Sequence, residues 1–296
     1  MDHLFLEKVE HALSVLTNVY DVVRIVDPVR NTVVYNPGKE VPDLEKSPCY
    51  SVWNKDRFCD NCIALRVQQE KTTLFKFEMI GSQVFLVTAS LFSWHETHYV
   101  LELLTDITHK SIWTTMRDGK EENFAEAILR FNDSVVKDEL TGVFNRRFIN
   151  ERLPIQLFNH VLAGTAAYLL MVDMDFFKHI NDVYGHRAGD AVLQQFAGLL
   201  QAAVPNLSSW VVRYGGDEFL LYLEDVSRAE AERITRTVHD AVAAFTFTVP
   251  EGIIRTSCSI GFCPLQTDME MQEWLEQVDR NLYQAKQKGR NSICGL

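Results

Sequence analysis

The chain has 296 residues, 47% of them hydrophobic and 23% charged, a globular mixture that excludes disorder and leaves room for about two domains. A formal net charge of −11 excludes a broad basic footprint, so neither nucleic acid nor a membrane is an expected partner, and an anionic ligand would need a local cluster of Lys and Arg. No apolar stretch approaches the ~20 residues that cross a bilayer, six Cys are too sparse for a disulfide scaffold, and the charged start predicts no export, which together predict a cytoplasmic protein.

In chain order, Leu6, Val9, Leu13, Leu16 and Val19 or Tyr20 recur at helical spacing and predict a helix over 4–20. Short β-branched runs then predict strands over 22–26 and 32–35, separated by the turn signal Asp27-Pro28. Three more are predicted over 72–80, 83–92 and 99–104, the first two joined across Gly81-Ser82. Between the early and late strands lies a loop and short helix with Cys49, Cys59 and Cys62, the last two spaced Cys-x-x-Cys. This pattern predicts a small α+β sensor module with an antiparallel sheet over 1–108. Phe124, Ile128, Phe131 and Val135 then step by four, three and four. That is the seam of a helix packing on a twin or on its own domain, and it predicts a linker helix over 109–137. From Asp138 the pattern is α/β: a strand over 167–172, a helix over 186–203, a hairpin of 210–214 and 219–223, a helix over 228–245, a strand over 255–262 and a helix over 269–288 with Gly289 as its C′ residue.

The hairpin reads Arg213-Tyr214-Gly215-Gly216-Asp217-Glu218-Phe219. A turn across Gly215-Gly216 lets both positions take positive φ, so a tight turn followed by two solvated acids is one reading. The other is close approach of a phosphate or metal where no Cβ intervenes. The apolar strand Leu169 to Val172 ends in Asp173-Met174-Asp175. Hard oxygens at a strand end suit Mg²⁺, which takes a few carboxylates plus phosphate oxygens. An exposed strand terminus is the plainer alternative, and a second acidic pair at a neighbouring strand end weighs against it.

Five segments carry a family resemblance: Asp138 to Arg147, Val172 to Lys178, Gly185 to Asp190, Arg213 to Phe219 and Leu282 to Asn291. In this order, over 138–296, they resemble the GGDEF domain of diguanylate cyclases. The resemblance implies condensation of two GTP into cyclic di-GMP with release of two pyrophosphates, on a palm-like βααββαβ fold. It implies Mg²⁺ or Mn²⁺ held by Asp173, the Met174 carbonyl, Asp217 and Glu218, with Asp217, Glu218 and Lys178 serving catalysis. It places Phe176, Lys178, Asn181, His186, Asp190, Lys286 and Arg290 on the substrate, Asn181 and Asp190 reading guanine. An amide and a carboxylate do match guanine's O6 acceptor and its N–H donors. One GTP per site implies an active homodimer. Two other functions stay open: a degenerate module that binds nucleotide without turnover, and a cyclase of relaxed purine specificity. Asn206 and Ser209 depart from the family, because many members carry Arg and Asp there as a product-inhibition site.

The first module resembles a PAS domain, through its strand order and the exit Leu104-Thr105-Asp106-Ile107-Thr108. Its thiols leave three readings open: a Cys₃His zinc site with His95 or His98, a redox sensor, or plain packing.

Overall fold

The computed structural model describes residues 9, 13–36, 48–81, 83–94, 97–108, 132–206, 208–266 and 269–296. They fall into two compact units, Met1–Val135 and Val136–Leu296.

In the first unit β1 (Val22–Asp27), β2 (Thr32–Tyr35), β3 (Leu74–Ile80), β4 (Gln83–Trp94) and β5 (Thr97–Asp106) form one antiparallel sheet, ordered β2-β1-β5-β4-β3. The last two strands outrun their predicted ends because their ladder continues to Trp94↔Thr97. Helix α1 (Ile63–Glu70) lays Ile63, Ala64 and Val67 against Val87, Ala89, Val100 and Leu104 of the sheet. Such burial supplies roughly 1.5–3 kcal/mol per large aliphatic side chain. Of the predicted helix over 4–20, residues 4–8 and 10–12 lie outside the described residues. Within them Val9 and Leu13 are buried, but a 3-10 turn over Leu16–Asn18 leaves Val19 exposed, and Tyr20 packs instead. Of the predicted seam, Phe124, Ile128 and Phe131 lie outside the described residues, and 132–136 are helical.

The second unit is built on a six-stranded sheet. Its strands are β6 (Phe144–Asn145), β7 (Ala167–Met174), β8 (Trp210–Gly215), β9 (Glu218–Glu224), β12 (Cys258–Pro264) and β13 (Ile293–Cys294), ordered β13-β12-β7-β9-β8-β6. Central β7 is buried along its whole length, so helices cover both faces. On one face α4 (His186–Ala203) and α5 (Arg228–Ala244) set Val192, Phe196, Ile234 and Val238 against Leu170, Val172, Leu221 and Ile260. On the other lie α2 (Arg146–Ala163) and α6 (Met271–Gln287), the second burying Trp274, Val278, Leu282 and Ala285. A short α3 (Phe177–Tyr184) and the hairpin β10 (Phe247–Val249) with β11 (Gly252–Ile254) complete the unit.

The apolar pattern does not reveal α2, because polar side chains share its buried side with Phe148, Ile149 and Leu153. Arg152, Gln156 and His160 face inward, and Pro154 interrupts the run. His160 bonds Tyr222 and Thr165, and Gln156 accepts from Trp210 Nε1 at 2.9 Å. Buried polar groups satisfied in this way hold a helix as firmly as an apolar stripe does.

Candidate active site

The end of β7 is the centre of the site. Antiparallel pairing sets Asp173 opposite Glu218 of β9 on one side and Ser259 of β12 on the other. The β8–β9 hairpin differs from its predicted register: Gly215 still belongs to β8 and pairs with Glu218, after a bulge, so Gly216 and Asp217 form the turn. Only Gly216 of the two glycines takes positive φ, +55°. The shift matters because it brings Asp217 to the turn and Glu218 into the ladder. The Met174 N–H donates to the Asp217 carbonyl at 3.4 Å, which lays the turn against the strand end.

Lys286, from the last turn of α6, reaches the same point. Its Nζ stands 2.7 Å from Asp173 Oδ2 and 3.8 Å from Glu218 Oε1. Burial, together with the neighbouring Asp217 and Glu218 charges, pushes the Asp173 carboxyl up to about 6 despite the ammonium. Asp173, Asp217 and Glu218 together bring more negative charge to this strand end than Lys286 offsets. A cavity of about 560 Å³ opens beside Glu218 and Lys286 along α6, a volume in the ordinary range for small-molecule sites.

The first of the sequence motifs supports the site rather than lining it. Asp138 accepts from the Thr141 N–H and hydroxyl at 3.0 and 2.7 Å, and from Arg213 Nη1 at 3.1 Å. Arg213 Nε in turn donates to the Gly216 carbonyl at 2.9 Å. Burial opposes the Asp138 charge, yet these bonds hold its carboxyl below the usual range. The first motif is thus a clamp on the hairpin turn, a link across 75 residues that spacing alone does not show.

Asp175 also departs from its expected place beside Asp173. It is fully buried and accepts from the Ser257 and Ser259 hydroxyls and the Asn291 N–H. Strand β7 ends at Met174, so Asp175 lies just beyond the ladder that holds Asp173, and the chain then passes through Phe176 at φ +60° into α3. Phe176 itself is exposed, with the Arg290 guanidinium 4.9 Å from its ring centre.

Asn181 sits half-buried on α3 against the start of α4. A Cβ on Gly189 would stand 1.9 Å from Asn181 Oδ1, so the glycine is what lets the amide lie there. Lys178, His186 and Asp190 are exposed on α3 and the first turns of α4.

Among the described residues, the thiols of the first unit do not by themselves make a metal site. Cys49, Cys59 and Cys62 are free and pack with Val26, Trp53 and Phe85. His98 is bonded to Ser93 Oγ at 2.9 Å, and His95 lies outside the described residues. Burial, then the neighbouring Cys59, pushes Cys62 up to about 11, and burial with Cys62 pushes Cys49 higher still. Thiols raised in this way are held protonated, the opposite of a reactive thiolate. Among the described residues no three His, Cys, Asp or Glu side chains are grouped to hold a metal by themselves, and no helix is long and apolar enough to cross a membrane.

Residues 135–292 match the family described as "Diguanylate cyclase, GGDEF domain". The response regulator PleD of Caulobacter vibrioides is 37% identical over 163 residues, covering 54% of this chain and 36% of PleD. Diguanylate cyclase A of Treponema denticola is 36% identical over 126 residues, covering 42% of this chain and 34% of that protein. Both similarities thus span only about a third of the relative's length. The solved structure of diguanylate cyclase SiaD from Pseudomonas aeruginosa is similar with a TM-score of 0.52 and 28% identity, over 61% of this chain and 66% of that one.

Proposed function

This chain belongs to the diguanylate cyclase GGDEF family, and from that premise we propose that it condenses two GTP into cyclic di-GMP, releasing two pyrophosphates. The observation that carries the reading is the meeting of Asp173, Glu218 and Lys286 at the strand end against which the Asp217 turn lies. The donor set fits a hard divalent cation, because three carboxylates converge where Lys286 supplies one positive charge. Asp173, Asp217, Glu218 and the Met174 carbonyl would hold Mg²⁺ or Mn²⁺, the ions used generally in this family. Among the described residues no three carboxylates group to hold a metal by themselves, so substrate phosphate oxygens or water would share in holding it. When bound, the ion supplies charge neutralisation at the α-phosphorus.

The protein's own groups do the rest. Lys178, Lys286 and Arg290 form the local cation cluster that an acidic chain needs for a triphosphate. Asn181 and Asp190 read the guanine edge, His186 and Phe176 flank the nucleoside, and Asp217 helps draw off the 3′-hydroxyl proton. Closing both phosphodiester bonds needs two sites facing across a two-fold axis, hence a homodimer. The sheet order of the first unit, with α1 between β2 and β3, supports a PAS-like regulatory module. Incubation with Mg²⁺ and GTP or ATP, followed by mass analysis, tests the whole reading. Cyclic di-GMP from GTP alone is the expected result; nucleotide bound without any product would instead mark a degenerate module.

Product inhibition should be weak outside the active site. Asn206 donates to the Glu224 carbonyl at 2.8 Å and accepts from the Ser208 and Ser209 N–H groups. Ser209 is buried and accepts from the Glu224 N–H at 3.0 Å. Both side chains close a turn, and neither offers charge to a dianionic product. Charged hydrogen bonds are worth roughly 1.5–3 kcal/mol each, so losing both partners weakens binding there by orders of magnitude. Initial rates with added cyclic di-GMP should show inhibition that excess GTP relieves; strong inhibition that persists would refute this.

A further inference from the structure

The fully buried Asp175 is the least explained acid of the second unit. A buried carboxylate is costly unless several donors surround it, and here they do. Oδ1 accepts from Ser259 Oγ at 2.7 Å, and Oδ2 from Ser257 Oγ at 2.6 Å and the Asn291 N–H at 2.9 Å. Its own N–H donates to the Ser257 carbonyl at 2.9 Å, and its carbonyl accepts from Thr256 Oγ1 at 2.7 Å. The hydrogen bonds of both carboxylate oxygens run to Ser257, Ser259 and Asn291, none of them in the cluster around Asp173.

The Asn291 contact has a particular consequence. Arg290 and Asn291 both lie in the left-handed region, at φ +65° and +45°, which non-glycine residues adopt only when their surroundings hold them there. The Asp175 carboxylate supplies such a hold. One residue along from each partner, the same two segments meet again, where the Arg290 guanidinium stacks on Phe176, itself at φ +60°. Two contacts therefore join the end of β7 to the turn after α6. The segment has a further anchor in the Ile260 N–H bond to the Ser292 carbonyl, 2.9 Å, and in the pairing of β13 with β12. Losing the Asp175 bond would free Arg290 without detaching the chain end.

We propose that Asp175 is a positioning residue, neither metal ligand nor base, which holds Arg290 where it meets the phosphates of GTP. This rests on the cyclase reading for the identity of the ligand. The test uses the full chain as wild type, Asp175→Asn, Arg290→Ala, Lys178→Ala and the two pairs containing Asp175→Asn. GTP affinity is measured by calorimetry, kcat and KM by product analysis, and amide exchange over 289–292 by mass spectrometry. Asp175→Asn should raise the Kd and KM for GTP about tenfold, the scale of one lost charged contact, with kcat changed much less. Exchange at Asn291 should quicken. Added to Arg290→Ala, it should cost little more; added to Lys178→Ala, the effects should multiply. An unchanged Kd, or effects that multiply equally with both partners, would overturn the proposal. A wild type that binds GTP but makes no product defeats the cyclase reading while the Kd comparison still decides this one. A wild type that does not bind GTP defeats both.

Discussion

Asp217→Asn and Asp173→Asn should each lower cyclic di-GMP formation by about a thousandfold, the effect of losing about 4 kcal/mol of transition-state stabilisation from a displaced divalent ion. Both variants remove charge from the strand end where Asp173, Glu218 and Lys286 meet. Stability should move the other way for Asp173→Asn. The native state raises this carboxyl from 3.8 to about 6, an effect that already includes the Lys286 attraction. A raised carboxyl favours the protonated native state, so its contribution to stability is present below its unfolded value and is lost as pH rises through about 6. Above that, the ionised group burdens the fold, and the neutral amide does not. Without added metal the variant should melt at or above the wild-type temperature at pH 8, with the advantage shrinking towards pH 4. Turnover within tenfold of wild type in either folded variant would remove these two residues from the metal site.

Much of this site is written in contiguous strings, which is why Asp173, Asp217 and Glu218 are legible in the sequence as acids at strand ends. Asp173 follows an apolar strand, and Asp217 and Glu218 follow two glycines, so local pattern alone places them at chain reversals. What stays hidden is whatever depends on register or on distant partners. The hairpin could turn on Gly215-Gly216 or on Gly216-Asp217, and a bulge after Arg213 decides for the second. Asp173 and Asp175 look equivalent in a line of letters, yet the strand ends between them, and one meets Lys286 while the other meets two serines. Helix α2 escapes detection because Arg152, Gln156 and His160 turn inward, opposite to the usual pattern. The thiols are a further case: the Cys-x-x-Cys spacing does not show that Cys62 caps α1 and that Cys49, Cys59 and Cys62 share an apolar core.

Gly189→Ala should damage GTP binding more than any substitution of comparable size. Helix α4 is otherwise a good place for alanine, which favours helix by about 1 kcal/mol over glycine, so overall stability should hold. The new methyl would stand 1.9 Å from Asn181 Oδ1, 3.0 Å from its Cγ and 3.2 Å from Phe177 Cζ. The first distance cannot exist, and the amide must rotate away or carry α3 with it. A guanine edge left without that partner loses about 1–3 kcal/mol, or roughly tenfold to a hundredfold in the KM for GTP. Preference for GTP over ATP should fall with it, because the discriminating group, not the phosphate grip, has moved. Gly198→Ala on the same helix provides the control: a Cβ there meets nothing within 4 Å, so its KM should match wild type. If Gly189→Ala binds GTP as wild type does while the control also behaves, Asn181 does not read the base, and guanine selection must lie with Asp190 alone.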